Sequence, residues 1–354
     1  CRFSPFHDGT GIGRWFARPV PYDIGSPERP GAAVCHPSTE TDLCSEKGRS
    51  DMTDTKIVLA FPGREAFTKK MDDGFYREYP EARACFELAG DAFHRDFAAY
   101  CYRAEPVPGL WTGIALAVHC YAVYCVMKNR LSSIAGFVGY SQGEFMACAA
   151  AEAAGFLPIL NTMVRLEQIL QEPPTRRQDM FRIMELDRDT LESCCSEASD
   201  SGYVGISAYI SGDQHVISGE QPALQQAVRL AKKRGARWVL PLHSYRAYHC
   251  PLCSGPQKAA QPHFAALRPE KPAFPLYGCL DGKKSVDGPE ILRKLSNQIN
   301  QPLRWDHLVE SLNRDGVTHL WEIGPGCTVS ANARVAGGEF SFHWIHTTKD
   351  FEDV

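Results

Sequence analysis
A serine stands between two glycines in Gly139-Tyr140-Ser141-Gln142-Gly143, where the apolar run "IAGFV" gives way to the small-residue, helix-like segment "EFMACAAAEAAG". Flanking glycines let the backbone turn sharply without a Cβ clash, and the turn lifts the hydroxyl above the end of the strand. Amides at the start of the next helix then offer donors to a developing oxyanion. This is the chemistry of covalent acyl transfer through serine. Glu144, in the first helical turn, suits the positive end of the helix dipole. The same five residues also describe a plain turn serine, so other parts of the chain must decide between the two.

A second reactive grouping is Cys250 and Cys253 in "HCPLC". Zinc would need a second pair, and a redox pair would need a strand before it and a helix after it. The sequence offers neither, so the pair reads as structural and no metal is expected.

An elbow serine needs alternating strands and helices to hold it, and these run from Lys56 onward. "KIVLAF" reads as a buried strand, and "YPEARACFELAGDAFHRDF" as an amphipathic helix that starts at a proline. A second helix ends near Met127, "IAGFVGY" is the strand before the serine, and further helices run to Gly155 and over Leu157–Gln171. After the break "EPPTRRQD", the order is strand "MFRIMEL", helix, strands "VGISAYI" and "HVISG", helix, and strand "ARWVLPL". That order is the one of a small ferredoxin-like unit. Helix then strand returns in the stretch ending "VTHLWEIGPG".

The expected fold is therefore α/β: a large α/β-hydrolase-like domain with a parallel sheet, over 55–180 and 244–340, interrupted by a ferredoxin-like α+β subdomain over 181–243. Residues 341–354 read as a C-terminal tail. Residues 1–54, rich in Pro, Gly, Ser and charge and without periodicity, read as a disordered leader or linker. "MTDTKIVLAFPG" at Met52 looks like a natural start followed at once by a strand.

A net charge of -4 gives no electrostatic case for nucleic acid. The 14 cysteines are irregularly spaced and no secretory signal precedes them, which points to reduced thiols. The expected location is the cytoplasm, or an organelle if the leader is a targeting segment. No charged residue occurs from Pro106 to Met127, but His119, Thr112, two tyrosines and the Pro/Gly start favour a buried helix over a membrane span.

Four motifs in order extend the case. "GYSQGEF" resembles the GHSxGE signature of malonyl-CoA:acyl carrier protein transacylases and polyketide synthase acyltransferase domains. "YHCPLC", whose His249 lies 108 positions after Ser141, resembles the F-H-S-P-L-M segment of that family. "LWEIGPG" resembles its late E-V-G-P-G turn, and "SAYISGDQHVISG" its subdomain segment. The resemblance spans roughly residues 55 to 335.

It implies a ping-pong transfer in fatty-acid or polyketide synthesis. Ser141 is then the nucleophile and His249 the base. The backbone N–H groups of Gln142 and Arg64 (in "FPGRE") hold the oxyanion, and the backbone carbonyl of Gln298 (in "SNQINQPLRW") orients the histidine. No cofactor is bound: acyl-CoA is a substrate, and the acceptor is the phosphopantetheine thiol of an acyl carrier protein. Other synthase domains are further partners if the domain belongs to a synthase. Glu322 and Gly324–Gly326 read as a structural turn.

The chain departs from the family pattern at several points. Arg64 replaces a glutamine, Tyr140 a histidine, and Ile210 an asparagine. Malonyl-using members carry an arginine on the helix after the nucleophile, whose fork grips the free carboxylate. Aligned without gaps, that position is Leu166, one residue after Arg165. Leu166 there argues for a neutral acyl group. Arg165 through a shifted helix, or Arg246 in "RAYH", would restore the grip. Malonyl remains the nominal acyl group; an acyl-thioester hydrolase and a non-catalytic docking domain of the same fold are the alternatives.

Overall fold
The computed structural model describes residues 55–352 apart from 69–70, 104–108 and 132. The expected leader at 1–54 lies outside the described residues.

Among the described residues, eleven strands form two sheets. The larger contains β1 (Ile57–Phe61), β2 (Ile134–Gly139), β7 (Leu276–Tyr277), β8 (Lys284–Ser285), β10 (His319–Ile323) and β11 (Ser341–Ile345), in the order β11-β10-β1-β2-β7-β8. All its pairings are parallel except β7 with β8, whose tight connection allows only an antiparallel return. The sheet is therefore mixed, not purely parallel as expected. β11 pairs in register with β10 from His319↔Ser341 to Ile323↔Ile345. The expected C-terminal tail thus includes an edge strand, followed by the short helix Thr348–Glu352. Its alternation is masked by His343 and Trp344, which makes "SFHWI" a poor strand signal.

Successive residues of β1 serve opposite faces of this sheet. Ile57, Leu59 and Phe61 pack into a core shared with helices Pro80–Phe93, Gly109–Met127, Gly143–Ala150 and Phe156–Leu170. Val58 and Ala60 pack on the other face with Trp305, Leu308, Met180 and Val216. Helices on one side and the smaller sheet plus its neighbours on the other cover both faces of β1, which therefore reads as a continuous apolar run.

Helix Gly109–Met127 is long and apolar enough to cross a membrane by length and composition, and 78% of its apolar window is buried within the fold. The single helix expected over "YPEARACFELAGDAFHRDF" is two. The first ends at Phe93 with His94 in the left-handed region (φ 52°), and the second starts at Phe97, where the Asp96 carboxylate accepts from the Ala99 amide.

The smaller sheet has the order β6-β3-β5-β4-β9, from β3 (Gln178–Met184), β4 (Val204–Tyr209), β5 (Gln214–Glu220), β6 (Trp238–Pro241) and β9 (Leu303–Arg304). Helices Arg188–Ala198 and Gln221–Lys233 cover one face, with Ile183, Ile206, Ile217 and Leu224 in the core between. β9 comes from the later part of the chain and pairs parallel to β4, tying the two sheets together. The opposite face, carrying Met180 and Val216, turns toward the end of β2. That face and the serine elbow enclose the cleft described next.

Candidate active site
The elbow follows from backbone sterics. Ser141 sits at φ 52°, a left-handed conformation costly for a residue with a Cβ and common at functional sites. A Cβ on Gly139 would stand 2.1 Å from the backbone carbon of Gly143, and one on Gly143 would stand 2.1 Å from the carbonyl oxygen of Phe61. Both glycines are therefore required for the helix Gly143–Ala150 to start against β1 and β2. The Tyr140 amide donates to the Phe61 carbonyl at 2.9 Å, and the Cys279 thiol to the Gly139 carbonyl at 2.7 Å. The Tyr140 ring meets Trp305 edge-on, with centroids 5.4 Å apart.

His249 arrives on a separate loop, also in the left-handed region (φ 56°), with its amide donating to the Ile299 carbonyl at 2.8 Å. Its Nε2 lies 2.8 Å from Ser141 Oγ and its Nδ1 lies 2.6 Å from the backbone carbonyl oxygen of Gln298. A carbonyl oxygen can only accept, so the neutral ring carries its proton on Nδ1 and turns the Nε2 lone pair to the serine hydroxyl. Burial pushes the His249 pKa down to about 4, opposed by the Gln298 carbonyl. At neutral pH the ring is an unprotonated base in contact with a hydroxyl.

The cleft above this pair measures about 550 Å³. Ser141, Gln142, Arg64, Leu166, His249 and Gln298 all line it. Neither the Gln142 nor the Arg64 amide has a hydrogen-bond partner among the described residues, which leaves both donors available. The Arg64 side chain turns aside. It pairs with the Glu167 carboxylate at 2.9 Å and donates to the Gly109 carbonyl, while Gln142 Nε2 donates to the other Glu167 oxygen at 3.3 Å. Burial raises the Glu167 pKa, and Arg64 opposes that rise.

Two expected binding residues are not brought to the cleft. Arg165 points outward and bonds Gln168 at 3.1 Å. On the helix Phe156–Leu170 it is about 100° from Leu166, whose side chain is buried against the cleft. Arg246 is buried elsewhere: its guanidinium donates to the carbonyls of Leu170 and Glu172, closing the end of the same helix. Leu166 therefore lines the cleft, and neither Arg165 nor Arg246 does.

Ile210 is fully buried in the core beneath the smaller sheet, so packing takes the place of the polar group expected there. Glu322, fully buried, accepts from the Val329 and Ser330 amides at 2.9 and 2.8 Å and caps the helix Thr328–Val335. Gly324 and Gly326 take positive φ in the turn between. Cys250 and Cys253 are buried free thiols that both donate to the Ala247 carbonyl, and burial raises their pKa values to about 12 and about 11.

The sequence reading missed Glu167 and Arg182. Glu167 follows Met163 by four residues and precedes Leu170 by three, so helical periodicity puts it on the cleft stripe. Arg182 follows Met180 by two in β3, on the face opposite Phe181 and Ile183. Periodicity places each residue on a face, but only the fold shows that these faces meet at the cleft.

A serine on a strand-to-helix turn, a neutral histidine locked by a backbone carbonyl, and two free amides beside them suit acyl transfer through a serine ester. Comparison with known proteins is consistent with that class. No family model matches the chain. It is similar, over most of its length, to malonyl CoA-acyl carrier protein transacylases. That of Haemophilus influenzae is 27% identical over 305 residues, covering 84% of this chain and 98% of the relative. That of Escherichia coli K12 is 28% identical over 277 residues, covering 77% and 90%. Solved structures share the fold. A type II PKS acyl-carrier protein in complex with its malonyl-transacylase matches with a TM-score of 0.80 at 24% identity, covering 84% of this chain and 98% of that one. An acyl carrier protein S-malonyltransferase from Vibrio cholerae matches with a TM-score of 0.80 at 24% identity, covering 84% and 99%.

Proposed function
We propose that this protein is an acyltransferase that moves an acyl group, nominally malonyl, from coenzyme A to the phosphopantetheine thiol of an acyl carrier protein in fatty-acid or polyketide synthesis. The observation that carries the reading is the 2.8 Å contact of Ser141 Oγ with a His249 ring whose other nitrogen is held by the Gln298 carbonyl.

In the first half-reaction the Ser141 hydroxyl gives its proton to His249 Nε2 as Oγ bonds the thioester carbon. The carbonyl oxygen gains charge and takes hydrogen bonds from the Gln142 and Arg64 amides. The C–S bond breaks, and the proton on Nε2 leaves with the coenzyme A thiolate. In the second half-reaction His249 takes the proton of the carrier's thiol, and the sulfur attacks the acyl-serine carbon. The C–Oγ bond breaks and the proton returns to Ser141. A backbone carbonyl suffices behind the histidine because its role is to fix the tautomer and ring orientation.

We read the larger sheet as hydrolase-like, with its nucleophile at a strand-to-helix elbow. The smaller sheet reads as ferredoxin-like, from the connectivity strand-helix-strand-strand-helix-strand over β3 to β6 with β9 added at the edge. The irregularly spaced cysteines, with Cys250 and Cys253 free and buried, support a reducing compartment such as the cytoplasm.

The test is to incubate the protein with malonyl-CoA with and without a holo-acyl carrier protein. Malonyl carrier formed at the expense of malonyl-CoA supports transfer. Free malonate released at the same rate with or without carrier would replace the reading with a thioester hydrolase.

A further inference from the structure
Leu166 leaves the cleft without the cation that sequence similarity placed there, yet a second arginine reaches the cleft from the opposite wall. Arg182 projects from β3 on the same face as Met180, opposite Val216 of β5, and all three line the cleft with Ser141. Its Nη1 donates to Asn332 Oδ1 at 2.9 Å and its Nη2 to Gln214 Oε1 at 2.8 Å. Its Nε–H is buried and has no partner. A guanidinium has five N–H donors, so three are unclaimed, and among the described residues its partners are neutral amides only. Tyr140, the residue before the serine, lies close enough to act on its charge, and burial lowers its pKa. An inward-facing cation with an unsatisfied donor and no counter-charge is costly unless an anion completes it. Arg64, the other arginine lining the cleft, already has its carboxylate in Glu167.

We propose that Arg182 receives the free carboxylate of a dicarboxylic acyl group, of which malonyl is the smallest common case, so that the carboxylate grip moves from the helix wall at Leu166 to the strand wall at β3. The proposal rests on the acyl-transfer reading above. Asn332 and Gln214 act as positioning residues: each takes one N–H and fixes the plane of the guanidinium, leaving the second hydrogen on each Nη for a carboxylate. The place beside Tyr140 suits the acyl end of the donor better than its phosphates, which a long pantetheine arm keeps toward the cleft mouth.

Acylation of Ser141 by malonyl-CoA and by acetyl-CoA, followed by intact mass in single turnover, tests this with the wild type, Arg182→Met and Arg182→Lys. Arg182→Met should slow malonyl loading by about 10- to 200-fold, the loss expected for a charge-assisted pair, and change acetyl loading by less than about threefold. Arg182→Lys should retain part of the malonyl rate, which covers the case in which the methionine variant does not fold. Equal losses for both donors would place Arg182 on the coenzyme A portion and overturn the proposal. Malonyl loading indifferent to residue 182, or a wild type that prefers acetyl, would overturn it while leaving acyl transfer through Ser141 intact. A protein that forms no adduct with either donor would instead remove the acyl-transfer reading, and the proposal with it.

Discussion

The two walls of the cleft are built by different means. On the elbow wall nearly every chemical element is backbone: the left-handed turn at Ser141, the Gln142 and Arg64 amides, and the Gln298 carbonyl behind His249. Facing it, the cleft is lined by side chains: Leu166 and Glu167 from the helix Phe156–Leu170 and, across from them, Arg182 from β3. Backbone donors survive substitution, so Arg64 can stand where similar proteins have glutamine and still present the same N–H. Side-chain recognition has no such protection. The Arg64 side chain has Glu167 as its counter-charge. In the proposed reading, backbone geometry sets the reaction type and side chains set the acyl selection.

The largest expected effect breaks the elbow wall at its one essential side chain besides the serine. His249→Ala should slow acylation by roughly 10² to 10⁴, measured in single turnover. An unchanged rate would remove His249 from the mechanism and leave the elbow wall without a base. Next, Gly143→Ala places a Cβ 2.1 Å from the Phe61 carbonyl, a backbone atom that cannot step aside. It should lower stability by about 1–3 kcal/mol by overpacking. Through displacement of the serine it should lower the acylation rate by about 10². Chemical denaturation and the same acylation assay read the two effects separately.

A pH profile sharpens the comparison without mutation. His249 works only when unprotonated, and burial holds its pKa near about 4. Acylation kcat/KM should therefore stay level as pH falls through the ordinary histidine range near ~6.5 and drop only toward about 4. The sign is fixed: protonation removes the acceptor, so activity is lost on the acid side. A half-drop at pH 6 to 7 would mean that the ring is more solvated than the geometry indicates.

Smaller effects separate backbone from side-chain roles. Arg64→Gln keeps the oxyanion amide and removes only the cation beside Glu167, whose carboxyl can then take a proton. Acylation should fall by less than about tenfold. A loss as large as that of His249→Ala would assign the guanidinium, not the amide, to the reaction. Smallest of all, Cys253→Ser should leave acylation within about twofold, because the buried thiol donates to the Ala247 carbonyl outside the cleft and a hydroxyl can do the same.

The same division explains what was legible in the sequence. The elbow could be read because its glycines are sterically compulsory, and β1, β2 and the helix Gly143–Ala150 announce themselves by apolar runs and small residues. His249 and Gln298 could be placed only through similarity, since a backbone carbonyl leaves no side-chain signature. β11 was missed because "SFHWI" does not alternate cleanly, and the end of the helix at Phe93 because a left-handed His94 has no glycine to mark it. Arg165 and Arg246 drew attention as free cations in sequence. In space one faces outward, and the other is spent on the carbonyls of Leu170 and Glu172. Arg182 drew none, because reading "MFRIMEL" as a buried strand does not say which cavity one face of it will meet.

Whether Ser141 carries the acyl group can be read by intact mass with peptide mapping after brief exposure to malonyl-CoA. One malonyl group is expected on Ser141, discharged when holo-acyl carrier protein is added, with no adduct on a Ser141→Ala protein that still melts cooperatively. An adduct that persists in Ser141→Ala at the wild-type rate would contradict it.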